Sequence, residues 1–435
     1  MIMAMIRPET EMKDSGIEYV GAIPKDWDLV RLRAYFGERK NKNKDGNETN
    51  LLSLSYGRII RKNIDKTDGL LPASFNTYNI VEKNDIIIRP TDLQNDKRSL
   101  RTGLVTEHGI ITSAYIDLMP IGNVDSRFVH YLLHSYDILK VFYNMGSGVR
   151  QGLNYSEFSK LKVPMPLLSE QQAIADYLDE TCFKIDEIIA EAKASIDEYK
   201  ELKQSVIFEA VTKGLDKNVK MKDSGVEWIG KIPKKWTLYR LKHLLRSPMQ
   251  YGANATGLEY DETMPRYVRI TDIDSNGNLK DVGKQSLSWD VAEPYLLEDG
   301  DLLLARSGGT VGKTFLYKKS YGTCAFAGYL IRAKANDKVL PEYIHYYTLS
   351  KGYEIWKNGI FIKATIQNIG ADKYAYLPIP IPIDIEIQRE IVKYLDSKCI
   401  TLDSLIAEKE SLIADLEAYK KSLIYEVVTG KRRVV

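Results

Sequence analysis

Three cysteines in 435 residues leave no disulfide framework and no zinc-type spacing. Two of them, Cys182 and Cys399, fall on apolar helical seams, where a thiol acts as a small hydrophobe in a reducing compartment. The five histidines (His108, His130, His134, His243 and His345) make no ligand cluster. His130 and His134 are one helical turn apart but sit among Tyr131, Leu132 and Leu133, which reads as packing and not as a metal site. No apolar run approaches the ~18 residues of a membrane span. The opening MIMAMIRPETE is too short, and too interrupted by Arg7, Pro8 and Glu9, for a signal peptide. A cytoplasmic protein with no membrane partner is therefore expected. Excess charge is missing too. With 61 basic and 59 acidic residues the net charge is +2, so any nucleic-acid surface must be a local patch offset by acidic faces.

Catalytic signatures are equally sparse. Gly146-Ser147-Gly148 is too short for a cofactor loop and reads as a turn. Gly308-Gly309-Thr310-Val311-Gly312-Lys313-Thr314 approximates a phosphate loop, but Ser307 stands where the leading glycine is needed, and counting from Gly308 leaves the loop one residue short. It reads instead as a glycine turn presenting Arg306, Lys313 and Thr314 to a phosphate backbone. The Asn- or Asp-Pro-Pro-aromatic motif that a DNA methyltransferase needs for a flipped base is missing. Glu38-Arg39-Lys40 and Glu191-Ala192-Lys193 carry only the Glu-x-Lys half of a nuclease site, with no Pro-Asp before them. No catalytic residues, metal ligands or cofactor site are expected in the chain itself, which points to a binding protein.

What is present is present twice. Glu170–Gly214 returns near the C-terminus as Glu386–Gly430, with Tyr177-Leu178-Asp179 matching Tyr394-Leu395-Asp396, Cys182 matching Cys399 and Asp186 matching Asp403. A largely apolar seam recurs at alternating steps of four and three, Leu178, Cys182, Ile185, Ile189, Ala192 and Ile196 in one copy and Leu395, Cys399, Leu402, Ile406, Lys409 and Ile413 in the other. This predicts two long helices, each stopped by a glycine and each needing the other's stripe. Lys203 and Lys420 fall at equivalent seam positions, where polar residues fix register. A second repeat opens each half: MKDSGIEYVGAIPKDWDLVRLRAYF from Met12 recurs from Met221 with 14 of 25 positions identical. It reads as a turn-rich lead-in with Leu29 and Leu32, or Leu238 and Leu241, facing inward.

Between the repeats lie two modules of similar layout and different sequence. Each has a β segment after an acidic turn (Asp85-Ile86-Ile87-Ile88; Asp301-Leu302-Leu303-Leu304), an aromatic helical stretch at His130 or His345, and a Pro-x-Pro turn feeding the long helix. Strand and helix signals without regular βαβ alternation give an α+β class: two α/β modules alternating with two long helices that pair as an antiparallel coiled coil. The expected boundaries are an extension at 1–11, modules at 12–169 and 215–385, a helix at 170–214, and a second helix with a C-terminal tail at 386–435.

Basic residues interleave with amides and aromatics in both modules. The candidate DNA contacts are Arg58, Arg89, Gln94, Lys97, Arg98 and Arg101 in the first and Arg269, Arg306, Lys313, Lys363 and Gln367 in the second, since Arg reads guanine, Asn or Gln reads adenine, and Lys holds phosphates.

The doubled lead-in, the Pro-x-Pro turn before Glu170-Gln171-Gln172 (degenerate as Glu386-Ile387-Gln388) and the repeated helix resemble the specificity subunits of type I restriction-modification systems. The resemblance covers all but residues 1–11. It implies two target-recognition domains, each reading half of a split double-stranded DNA sequence, with the helices setting the spacer. It also implies two docked methyltransferase subunits using S-adenosylmethionine and two ATP- and Mg-dependent motor-nuclease subunits, with the chain itself non-catalytic. Glu170, Gln171, Gln172, Glu386 and Gln388 are the expected partner contacts. A coiled-coil adaptor without DNA affinity, or a piece of a single-chain restriction-modification enzyme, are the alternatives. A helix of 44 residues spans roughly 65 Å at ~1.5 Å per residue, nearly two DNA turns at ~34–36 Å each.

Overall fold

The computed structural model describes residues 4–64, 74–91, 93, 100–145, 152–274, 277–308, 311–361 and 367–434. The chain forms two compact units whose boundaries cut through the long helices: unit 1 comprises residues 1–192 and 411–435, and unit 2 residues 193–410. Both expected helices are there, at Leu168–Lys213 and Ile385–Val428. They end at Gly214 and Gly430, whose φ of +78° and +73° is the left-handed cap that glycine adopts without a Cβ penalty. The predicted seam faces inward, with Leu178, Cys182, Ile185, Ile189, Ala192, Ile196, Leu395, Cys399 and Leu402 all buried.

In unit 1 the strand Asp28–Arg31 pairs with Lys162–Met165, so the start of the module is stitched to its end before the first long helix begins. The strands Thr102–Leu104, Ile86–Ile88, Ile116–Pro120 and Phe36–Glu38 form a four-stranded antiparallel sheet, in that order. The helix Ser126–Ile138 is capped by Asp125, whose side chain accepts from the Arg127 N–H. It buries Phe128, Val129, Leu132, Leu133 and Tyr136 in a core shared with Ile174, Leu178 and Ile185 of the first long helix and Leu423, Ile424 and Val427 of the second. Those two helix segments run antiparallel. Trp27 bonds Glu170 at the start of one and touches Gly430 at the end of the other, while Asp186 meets Lys420 further along.

The segment before the first repeat belongs to this unit. Ala4–Ile6 pairs antiparallel with Arg432–Val434. Arg7 is buried, with Nη2 2.9 Å from Glu170 Oε1 and Nε 3.0 Å from the Gly430 carbonyl.

Unit 2 repeats the frame on a different sheet plan. Thr237–Arg240 pairs with Pro378–Ile381, and Trp236 packs on Gly214. Two four-stranded sheets follow: Gln250–Tyr251, Leu330–Ala333, Leu302–Ala305 and Thr314–Leu316 in one, and Leu258–Glu259, Gln285–Ser286, Arg266–Val268 and Cys324–Phe326 in the other. The last pair of the second sheet is parallel. In both lead-ins the structure holds a short antiparallel ribbon, Met12–Asp14 with Ala22–Pro24 and Met221–Asp223 with Lys231–Pro233, where the sequence reading saw only turns.

Candidate nucleic-acid interface

The basic candidates divide by what their side chains do. In unit 1, Leu52–Ser55 and Arg58–Arg61 form a separate two-stranded ribbon. Arg58 is exposed on it, with Nη2 2.8 Å from Asp186 Oδ2, and Arg61 pairs with Glu107. Arg89 is half-buried at the end of the strand Ile86–Ile88. Arg101 is fully buried, a correction to its reading as a DNA contact. Its Nε lies 3.2 Å from Tyr143 Oη, its Nη1 donates to the Thr91 and Arg89 carbonyls at 2.5 and 3.4 Å, and its guanidinium lies 5.1 Å from the Tyr143 ring centroid. It holds the backbone that carries Arg89. Gln94, Lys97 and Arg98 lie outside the described residues, as does Gly146-Ser147-Gly148.

In unit 2 the phosphate-loop resemblance fails on topology. Leu302–Ala305 runs into Thr314–Leu316 as an antiparallel hairpin, not into a helix whose N-terminus could hold a phosphate. Lys313 turns inward to the Asp274 and Ile273 carbonyls at 2.8 and 3.3 Å, and burial pulls its ammonium below the ordinary lysine range. Thr314 is buried, its hydroxyl 2.8 Å from that of Thr348. Both side chains are engaged by protein partners in the folded chain. Arg306 does sit at the turn, its guanidinium 5.0 Å from the Tyr251 ring centroid. A bridge between Ser307 and Asn368 brings the exposed Gln367 beside it. Arg269 is clamped by both Asp272 oxygens at 2.7 and 3.1 Å and by the Gly283 carbonyl, which raises its pKa through the Asp272 bond first. Lys363 lies outside the described residues.

The expected partner contacts also separate. Gln171 and Gln388 are buried and play one role twice: each side-chain oxygen accepts the N–H that opens the aromatic helix region (Asp125 at 3.0 Å, Leu340 at 2.9 Å), and each Nε2 donates to the proline carbonyl before the long helix (Pro166 at 2.9 Å, Pro382 at 3.0 Å). The pairing of Glu386 with Glu170 gives way to the register already set by the matched Tyr-Leu-Asp, Cys182/Cys399 and Asp186/Asp403 positions. Gln388 matches Gln171, so Ile387 takes the Glu170 position. Glu170 is held by Arg7 and by Trp27 Nε1 at 3.0 Å. Gln172 and Glu386 are exposed at the helix starts, the latter 3.3 Å from Arg389.

Sequence reasoning missed a second pair of ties. Tyr131 donates to Asp179 at 2.8 Å in unit 1, and Tyr346 donates to Asp396 in unit 2, so each aromatic helix is bonded to the long helix of its own unit. The signal was available, because both tyrosines follow the repeated histidine and both aspartates end the repeated Tyr-Leu-Asp. The histidines are part-buried among packed side chains, and that desolvation pushes His130 down to about 3 and His345 to about 4. Both are neutral packing groups. Among the described residues no group of three or more His, Cys, Asp or Glu could hold a metal ion. A buried polar cluster lies under the first sheet. Arg39 grips Asp85 at 2.7 and 3.1 Å, while Asp117 stands 3.9 Å from Arg39 Nε, beyond hydrogen-bond reach. Burial, then the charge of Asp85, pushes Asp117 up to about 8.

The family model described as the type I restriction modification DNA specificity domain matches residues 24–198 and 233–416. The type I restriction enzyme MjaVIII specificity subunit of Methanocaldococcus jannaschii is 23% identical, with 100% of this chain and 98% of that protein covered. The EcoKI specificity subunit of Escherichia coli is 26% identical over 43% of this chain and 40% of its own length. A chain from a structural study of assembly and conformational transition in the type I system shares the fold at a TM-score of 0.71 and 17% identity, covering 94% of this chain and 99% of that one. The HsdS subunit of Thermoanaerobacter tengcongensis does so at 0.51 and 16%, covering 94% and 98%.

Proposed function

This chain belongs to the type I restriction-modification DNA specificity family, and on that premise we propose that it is a non-catalytic specificity subunit whose two modules, residues 12–169 and 215–385, each read one half of a split duplex target. The conserved-region segments 170–214 and 386–435, each built on a long helix, set the unread spacer and dock two methyltransferase subunits. Those subunits supply the S-adenosylmethionine chemistry, and two motor-nuclease subunits supply the ATP- and Mg-dependent steps, in the cytoplasm.

The observation that carries this reading is the contrast between frame and cargo. The supporting contacts recur one for one: Gln171 with Gln388, Tyr131–Asp179 with Tyr346–Asp396, and Lys420–Asp186 with Lys203–Asp403. The sheets they carry have different strand orders. A repeated frame holding unlike surfaces suits two readers of unlike half-sites. Arg58 and Arg89 in unit 1, and Arg269, Arg306 and Gln367 in unit 2, remain the candidate contacts, because Arg and Gln pair bidentately with base edges. For partners, Phe183 and Ile188 lie exposed on the long helix of unit 1, and Leu202 and Ile400 lie exposed on the helices of unit 2; exposed apolar residues of this size suit a protein interface.

The test is an exchange of residues 30–165 for the equivalent stretch of a relative, followed by mapping of the methylated motif in cells that carry the methyltransferase subunit. One half of the motif should change and the other half and the gap should stay. A change in both halves would sink the proposal that the modules read independently.

A further inference from the structure

Three described non-glycine residues have φ in the left-handed region: Tyr56 at +46°, Asn84 at +77° and Lys140 at +63°. Two have ordinary reasons. Asparagine tolerates this conformation, and Lys140 follows the end of the helix Ser126–Ile138, where chains commonly turn left-handed. Tyr56 has no such reason. It and Gly57 (φ +78°) form the two-residue turn between Leu52–Ser55 and Arg58–Arg61, in which Ser55 pairs with Arg58. A two-residue turn with both φ values positive is the type that asparagine followed by glycine makes at least cost. The glycine is where it should be, and a Cβ there would press on Leu100 at 3.0 Å. A tyrosine stands where asparagine would be cheaper.

The usual compensation for such strain is packing, and Tyr56 lacks it. The residue is 89% exposed, the highest value of any large hydrophobic in the described chain, and its ring stacks on no described aromatic. The turn beneath it is seated firmly, since Gly57 rests on Leu100 and His134. So the fold holds a large aromatic outward, against its backbone preference, at the tip of a two-stranded ribbon. Arg58, Arg61 and Lys62 follow on or beside the ribbon's second strand, all exposed. Strain that the folded state does not relieve points to a contact made elsewhere. A two-stranded ribbon fits the major groove of duplex DNA, and an aromatic ring finds apolar and stacking partners on bases.

We propose that Tyr56 is a specificity-determining residue, its ring meeting a base of the half-site read by unit 1, with the exposed Lys62 beside the ribbon supplying charge towards the duplex and Arg58 and Arg61 held by Asp186 and Glu107. This rests on the reading of unit 1 as a DNA reader, and the experiment separates the two. Wild-type chain with its methyltransferase subunit, the Tyr56→Asn variant and the Tyr56→Phe variant are each used to select from a pool of duplexes with a randomised stretch. Melting of each protein is measured alongside. Asparagine relieves the backbone and removes the ring, so Tyr56→Asn should melt no lower than wild type yet bind the wild-type motif about tenfold or more weakly and lose preference within one half only. Tyr56→Phe keeps the ring and should keep the motif. Selection of an unchanged motif by Tyr56→Asn overturns the proposal while leaving the DNA reading intact, as does loss of methyltransferase association with the motif preserved, which would make the ring a protein contact. A Tyr56→Asn variant that melts well below wild type overturns it too, by giving the ring a structural role. If wild type selects no motif at all, the DNA reading itself fails.

Discussion

Lys420 Nζ lies 2.6 Å from Asp186 Oδ1 in unit 1, and its counterpart Lys203 lies 2.7 Å from both oxygens of Asp403 in unit 2. The seam lysines are thus reciprocal, each reaching the aspartate that the other helix copy contributes. A shift of one helix turn along either pair would leave a half-buried ammonium against apolar seam residues, so the pairs select register more than they add stability. Lys420→Asp should lower the melting temperature, and adding Asp186→Lys should recover much of the loss. With both partners part-exposed, a coupling of about 1 kcal/mol is expected from a double-mutant cycle. A zero coupling would assign register to the apolar seam alone.

Asp117 gives a pH dependence with a definite sign. Its folded-state pKa is raised to about 8 by burial and by Asp85, whereas an unfolded aspartate titrates near the ordinary value. Between the two values the folded chain binds the extra proton, so stability falls as pH rises through this window and levels off above it. The slope from this one group is at most about 1.4 kcal/mol per pH unit. Thermal melts of Asp117→Asn at pH 5 to 8 should show a flatter profile than wild type.

Arg7 ties the start of the chain to both long helices of unit 1, through Glu170 and the Gly430 carbonyl. Arg7→Ala should destabilise unit 1 by about 2 kcal/mol, because a buried charged bond is lost and Glu170 keeps only Trp27. Hydrogen exchange should quicken first in Arg432–Val434, the strand paired with Ala4–Ile6.

Arg101 and Arg306 should separate folding from binding. Arg101→Ala removes a fully buried guanidinium with carbonyl, hydroxyl and ring partners, and should cost about 3 kcal/mol of stability. Arg306→Ala should lose only the Tyr251 contact in the free protein, about 1 kcal/mol, while weakening binding to the cognate duplex by about 1–3 kcal/mol. Melting and titration of each variant with DNA check both.

The duplication, both long helices and the α+β class were legible because they rest on periodic signals: a stripe repeating over some 44 residues is hard to produce by accident. The contact residues were not, because a basic cluster in sequence carries no information on which side chains the fold turns inward. Arg101 and Lys313 looked identical in kind to Arg306, yet one is core and one is bonded to carbonyls. Gln388 was legible as the counterpart of Gln171 from the aligned Tyr-Leu-Asp and seam positions, whereas counting from the Pro-x-Pro turn slips by one, since the stretch from Pro382 to Gln388 is one residue longer than that from Pro166 to Gln171; the hydrogen bonds agree with the aligned positions. Tyr56 stands two residues before Arg58, and what singles it out is a backbone angle that no residue pattern reports.

The division of the chain has a consequence for its synthesis. Unit 2 is one continuous stretch, 193–410, whereas unit 1 needs residues 411–435 to fill a core begun some 400 residues earlier. On the ribosome, the half that starts second can finish first. The earlier half waits with Leu178, Ile185 and the module's inner face uncovered until Leu423, Ile424 and Val427 emerge, and nascent chains expose such surfaces to misassembly. A ribosomal stall or premature stop in the last 25 residues would therefore release a chain whose C-terminal unit is complete and whose N-terminal unit is not.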